Sequence, residues 1–135
     1  LERAIEIAAS AHAGQVDRSG APYILHPIRL MMRVESMEAR ITAVLHDVVE
    51  ATPWTFEQLR GEGFSEAVLA ALDCVTRRET ETYEQFVERS VGNAVARQVK
   101  LADLEDNMNL LRLGEVRPKD LERLERYHRA WIRLR

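Results

Sequence analysis

The sequence predicts an all-α fold, a multi-helix bundle in one domain. Three observations lead to it. Apolar residues recur at the 3.6-residue period along most of the chain. No alternating apolar–polar run is long enough for a useful strand. Capping residues and Gly or Pro breaks cut the periodic stretches into short segments.

Leu1, Ala4, Ile5, Ala8 and His12 share one face of a first helix. Gly14 and Gly20 interrupt the pattern, and Pro22 lies in the loop that follows. A second, short helix is expected to start near His26-Pro27, because proline suits a first turn. Its apolar positions are Ile28, Met31 and Met32. Ser36 caps a third helix with the stripe Ile41, Val44, Leu45 and Val48, expected to run unbroken until Thr52-Pro53 stops it. Thr55 and Gln58 have the form of a capping box for a further short helix. Ser65 caps another, through Val68, Leu69 and Leu72. Thr82 opens a segment with Tyr83, Phe86 and Val87, and Gly92-Asn93 punctuates. Val95, Val99 and Ala102 belong to a long helix expected to reach about Leu113. Gly114 and Pro118 separate it from a last helix over about 118–135. The connections are short, so residues 1–135 are expected to form a single domain.

The chain has 135 residues, enough for a substantial core. Composition, 46% hydrophobic and 30% charged, is that of an ordinary globular protein. No run approaches the roughly 18 apolar residues of a membrane span, which excludes a membrane partner of that kind. A net charge of −3 argues against general nucleic-acid binding. The charge is uneven: residues 115–135 carry +3 and the remainder −6, and the alternating signs of the tail read as a solvated helix face. The lone cysteine, Cys74, stands in an apolar run and reads as a small buried side chain. A chain without a disulfide framework fits a reducing cytoplasm. No signal peptide is visible, and a start at Leu1 rather than methionine is compatible with a preceding segment. A homo-oligomer is compatible with the sequence as well.

Chemistry concentrates in a few costly residues. In LHDVVEAT, residues 45–52, His46 and Asp47 sit side by side in an otherwise apolar stripe. Glu50 follows within a helical turn, so all three side chains can face one way. A carboxylate aimed at a core is expensive unless it is paired or bound to a metal. His26 lies upstream, before Pro27. Downstream, in KLADLEDN, Asp103 follows Val99 by four positions and Asn107 follows Asp103 by four. The His-Asp pair alone also fits a surface pair or a satisfied core histidine. The ordered series His…His-Asp…Asp from three segments favours a mixed nitrogen–oxygen site for Mn²⁺, Fe²⁺ or Zn²⁺. Such a site leaves open positions where a water can be activated. Glu50 is placed to orient that water or take its proton.

This ordered pattern resembles the HD-domain metal phosphohydrolases. More narrowly, it is similar to the hydrolase domain of RelA/SpoT-type enzymes, which remove the 3′-pyrophosphate of guanosine tetraphosphate (ppGpp). The matching stretches are AHAGQ at 11–15, SGAPYILHP at 19–27, LHDVVEAT at 45–52, CVTRR at 74–78 and KLADLEDNM at 100–108. The motif-bearing core is therefore 11–108, in what looks like a small stand-alone relative. The resemblance implies an HD-type all-α bundle in which Mn²⁺ is held by His26, His46, Asp47 and Asp103. It implies catalytic roles for Glu50 and Asn107, and a small nucleotide substrate such as ppGpp met by Arg18, Lys100 and Asn107. Tyr23, three residues before His26, adds a candidate substrate contact.

Three positions depart from the family pattern. The aspartate usual after the glutamate is Ala51 here, which implies slowed or altered catalysis. The arginine that stacks on guanine is replaced by Asp17. A threonine often found three residues after the asparagine is Leu110. Two alternatives to a ppGpp hydrolase follow: an HD phosphohydrolase for another nucleotide or phosphorylated metabolite, or a catalytically weak metal- and nucleotide-binding sensor. Quieter readings cover the rest. His12 is expected to be buried and hydrogen-bonded, Trp54 and Trp131 to pack on the core, and His128 to be exposed. Arg77 and Arg78 suit either phosphate contact or a solvated helix end.

Overall fold

The structure, a computed structural model, describes residues 1–135. Nine α-helices and one 3₁₀ turn make the fold, with no strand beyond an isolated Val16–Pro22 bridge. In chain order they are α1 (Glu2–Ala11), α2 (Leu25–Arg33), α3 (Met37–Leu45), α4 (Val48–Ala51) and α5 (Phe56–Gly61). Then come α6 (Glu66–Val75), α7 (Tyr83–Val91), α8 (Ala94–Asn107), the 3₁₀ turn Leu110–Arg112 and α9 (Pro118–Leu134). The all-α expectation is borne out.

The expected caps set the helix starts. Ser36, Ser65 and Asn93 accept from the backbone N–H three residues on, at 3.1, 3.2 and 2.9 Å. Thr55–Gln58 and Thr82–Gln85 close full capping boxes. Pro118 occupies the first turn of α9.

Two expected helices are corrected. The third helix does not run through to Thr52 but breaks at His46-Asp47. The Ala43 carbonyl accepts from the His46 ring at 2.7 Å as well as from the His46 N–H at 3.4 Å, so a side chain competes for a bond of the helical ladder. Asp47 then turns at φ −107°, ψ 0°. The long helix ends at Asn107, short of Leu113, because the Asn109 side chain accepts from Leu111 N–H and starts a tighter turn.

α3 is central and packs against α1, α2, α6 and α8. Ile7, Val44, Leu45, Val48, Leu69 and Leu72 lie in the main core between α1, α3, α4 and α6. A second cluster joins α2, α3 and α8 through Leu30, Val34, Ala39, Ala43, Val99 and Ala102. A third, Val87, Leu104, Ala130 and Leu134, seats α9 on α7 and α8. No helix is long and apolar enough to cross a membrane.

Candidate metal centre

The second cluster fixes where the ionisable residues meet. α2 carries His26, the break between α3 and α4 carries His46 and Asp47, and α8 carries Asp103. His26 Nε2 lies 3.0 Å from Asp103 Oδ1. His46 Nε2 lies 3.1 Å from Asp47 Oδ2 and 3.6 Å from Asp103 Oδ1. The donor atoms of His26, His46 and Asp103 all fall within 4.8 Å of one another. The three are buried and Asp47 is half-buried. His26, His46 and Asp103 come together as one group, and Asp47 adjoins it through His46; a helix break rather than a continuous helix places His46 and Asp47 there.

Both imidazoles are anchored through Nδ1. His46 Nδ1 is 2.7 Å from the Ala43 carbonyl, which can only accept, so that nitrogen carries the proton. His46 Nε2 is buried and has no hydrogen-bond partner. His26 Nδ1 is 2.6 Å from Asp106 Oδ2. His46 Nε2 is thereby left to face Asp47 and Asp103, and His26 Nε2 is turned onto Asp103 Oδ1 at 3.0 Å. A buried, unpartnered imidazole nitrogen beside two carboxylates fits a divalent cation of the Zn²⁺, Mn²⁺ or Fe²⁺ type.

Electrostatics agree with the geometry. Burial works to raise the Asp47 pKa, but the adjoining His46 outweighs it and holds the carboxyl down at about 2. Asp103 is held well below its usual range against burial, by Lys100 and both histidines. Burial opposes a charged imidazole at both histidines, yet the bonds to Asp103 and Asp106 move His26 upward and the charge of Asp47 moves His46 upward. The cluster draws positive charge into a buried place.

The other expected site residues surround this centre. The Tyr23 hydroxyl donates to Asp47 Oδ2. The buried Lys100 ammonium donates to Asp103 Oδ2 at 3.0 Å and lies 4.5 Å over the Phe86 ring. Asn107 Nδ2 donates to Asp103 Oδ1 at 3.0 Å. All three line the cavity while bonded to a central carboxylate, so they hold the centre in shape as well as facing any substrate. Glu50 accepts from the Arg77 N–H at 3.1 Å, and burial together with Asp47 pushes its carboxyl upward. Arg18 sits exposed at the cavity lip without an ion pair.

Asp17 has a structural task. Its Oδ1 accepts from Ser19 N–H at 2.8 Å, Ser19 Oγ at 2.6 Å and Ala21 N–H at 3.1 Å. Gly20, at φ +84°, makes the turn these bonds require. Ala51 is exposed, and its carbonyl accepts the Gln15 amide at 3.2 Å. Gln15 in turn meets His12 Nδ1 at 2.8 Å, so His12 is the buried, hydrogen-bonded residue expected. Trp54 and Trp131 pack against the apolar clusters, also as expected.

A cavity of about 500 Å³ opens over the centre, within the range of small-molecule sites. One wall is Arg77, Tyr83 and Phe86; another is Arg123, Arg126 and Tyr127 of α9. Sequence reasoning missed the α9 wall by reading the basic tail as solvated. The spacing of Arg123, Arg126 and Tyr127, three and four apart, was the available signal that they share a face. Asp106, Arg29 and Arg112 were missed as well.

The fold is of the HD-domain type. No protein-family model matches the chain. It is 36% identical to a guanosine-3′,5′-bis(diphosphate) 3′-pyrophosphohydrolase of Haemophilus influenzae, over 87% of this chain and 19% of that protein. It is 34% identical to the bifunctional (p)ppGpp synthase/hydrolase SpoT of Escherichia coli, over 93% of this chain and 20% of that one. The chain spans about one fifth of the length of these curated relatives. Among solved structures, a metazoan ortholog of SpoT that hydrolyses ppGpp matches with a TM-score of 0.81 at 21% identity, covering 98% of this chain and 83% of that one. The resemblance to RelA/SpoT-type hydrolases read from the motifs is thus borne out: the chain is related to them over most of its length.

Proposed function

We propose that residues 1–135 form a hydrolase domain that uses Mn²⁺ and acts as a guanosine-3′,5′-bis(diphosphate) 3′-pyrophosphohydrolase in a cytoplasmic setting. One observation carries this reading: the unpartnered His46 Nε2, the His26 Nε2 facing Asp103, and the carboxylates of Asp47 and Asp103 lie together at the floor of a cavity walled by arginines. His26, His46, Asp47 and Asp103 would hold the cation. When bound, that ion supplies a Lewis acid that polarises phosphoryl oxygen and lowers the pKa of water. Glu50, open to the cavity and held by Arg77 N–H, takes the proton of the attacking water. The water oxygen joins phosphorus, the bond from phosphorus to the ribose 3′ oxygen breaks, and that oxygen takes a proton from solvent as pyrophosphate departs. Lys100 and Arg18 offset the negative charge of the phosphates.

A second reading, hydrolysis of another nucleotide or phosphorylated metabolite, is favoured by Asp17. It stands where the related enzymes stack an arginine on guanine, and its Oδ1 is committed to its own loop. Purified protein with Mn²⁺, assayed for pyrophosphate and phosphate release from ppGpp and a nucleotide panel, separates the two. Pyrophosphate from ppGpp supports the first; turnover of a different compound supports the second. Tight nucleotide binding with no turnover contradicts both and identifies a sensor.

A further inference from the structure

Asp106 lies within the KLADLEDNM stretch but was not among its candidate site residues, yet it touches the metal centre through His26. Its Oδ2 is 2.6 Å from His26 Nδ1, while His26 Nε2 faces Asp103 at 3.0 Å. An imidazole with a free Nδ1 exchanges its proton between two nitrogens, and the Nε2–H form cannot bind a cation through Nε2. A carboxylate at Nδ1 removes that freedom and makes the opposite nitrogen a stronger donor.

Asp106 is itself immobilised. Arg29 donates through Nε to Oδ1 at 2.8 Å and through Nη2 to Oδ2 at 3.0 Å, a two-point fork. Arg112, in the 3₁₀ turn, reaches both carboxylate oxygens at 3.4 Å and the Asp106 carbonyl at 2.9 Å. The Asp106 side chain is buried, so two guanidiniums balance a charge that would otherwise be costly there. His46 has no such partner; a neutral carbonyl of its own helix holds its Nδ1. The two histidines are therefore anchored unequally. Arg29 and Arg112 also line the cavity, which joins the anchor of one ligand to the wall a substrate would touch.

We propose that Asp106 is a positioning residue of the metal centre: it fixes His26 in the Nδ1–H form, turns Nε2 toward the cation, and is clamped in that role by Arg29 and Arg112. This inference rests on the metal-binding reading above.

The test uses the full chain and manganese chloride alone. Asp106→Asn keeps the shape and removes the charge. Calorimetry is expected to show its Mn²⁺ dissociation constant raised about 10- to 100-fold, with the helical circular dichroism unchanged. Glu105→Gln, at the exposed neighbouring carboxylate, is expected to shift it less than about twofold. The Arg29→Gln/Arg112→Gln pair, which leaves the carboxylate unclamped, is expected to weaken binding by an intermediate factor. In ¹⁵N NMR of Zn²⁺-loaded protein, His26 is expected to show a downfield Nδ1–H that moves upfield in Asp106→Asn, a change that a merely structural role does not produce. Mn²⁺ affinity of Asp106→Asn within twofold of wild type, or a His26 proton on Nε2, overturns the proposal. If Asp106→Asn does not fold, the double arginine variant decides by the same affinity criterion. A wild-type chain that takes up no Mn²⁺ overturns the functional reading and this inference together; equal binding by wild type and variant overturns this inference alone.

Discussion

His26 Nε2 on α2 lies 3.0 Å from Asp103 Oδ1 on α8, although the two residues stand 77 positions apart in the chain. Nothing local joins them. The apolar cluster of Leu30, Val34, Ala43, Val99 and Ala102 holds α2, α3 and α8 together and so sets the distance. The chemistry of the centre is in this sense a product of core packing.

Removing either member of the central pair is expected to empty the site. His46→Ala or Asp47→Ala should lose the stoichiometric metal by elemental analysis and reduce hydrolysis at least about a thousandfold. Circular dichroism and thermal melts check that both variants stay folded. Retained metal in both would contradict the ligand assignment.

Glu50 is expected to behave differently from the ligands. Glu50→Gln should lower kcat by about 10²- to 10⁴-fold, the usual cost of losing a general base. The Mn²⁺ dissociation constant should stay within a few-fold of wild type, because Glu50 contacts Arg77 N–H rather than the imidazoles. Steady-state kinetics alongside metal titration separates the two effects.

Asp17→Ala removes the three bonds that shape the loop before α2. Two of the three bonds are exposed, so a net loss of about 1 kcal/mol is expected. That corresponds to a fall in Tm of roughly 3–5 °C for a chain of this size. Arg18 sits on the same loop, so KM for the nucleotide should rise while kcat changes less. Thermal melts and initial rates check the two halves independently.

The connection between α6 and α7 carries a pH-dependent clamp. Arg89 donates to both oxygens of Glu81, at 2.9 and 2.6 Å, and to the carbonyls of Asp73 and Thr76. The Arg89 hydrogen bond takes the Glu81 carboxyl down from 4.5 to about 2. A folded-state pKa below the unfolded one means the unfolded chain binds the proton first. The clamp's contribution is therefore present above about pH 4.5 and is lost as pH falls toward about 2. Glu81→Gln should lower Tm at pH 7, and the gap to wild type should narrow across that window. A constant gap would contradict the clamp.

Much of the fold was legible because its signals are local. Ser36, Thr55, Ser65, Thr82 and Pro118 each mark a helix start through one or two neighbouring backbone groups, and each works as read. The break at His46-Asp47 was not legible. Its apolar stripe continues through Val48, and the competing bond from the His46 ring to Ala43 leaves no trace in the spacing. The end of α8 was misplaced for a similar reason, since Asn109 acts through a side-chain turn inside a run of leucines. At the centre, residue types that are costly to bury identified His26, His46, Asp47 and Asp103. Asp106 escaped notice because its partner lies 80 positions away and its own neighbours look like a charged helix face. Lys100 and Asn107 were read as substrate contacts; that both also bond Asp103 depends on their rotamers, which spacing does not specify.

The central claim is that one divalent cation sits among these side chains, and anomalous diffraction at the manganese edge from crystals grown with Mn²⁺ tests it most directly. The account predicts a single strong peak within coordinating distance of His26 Nε2, His46 Nε2, Asp47 and Asp103. No peak there, or a peak only at surface carboxylates, would contradict it.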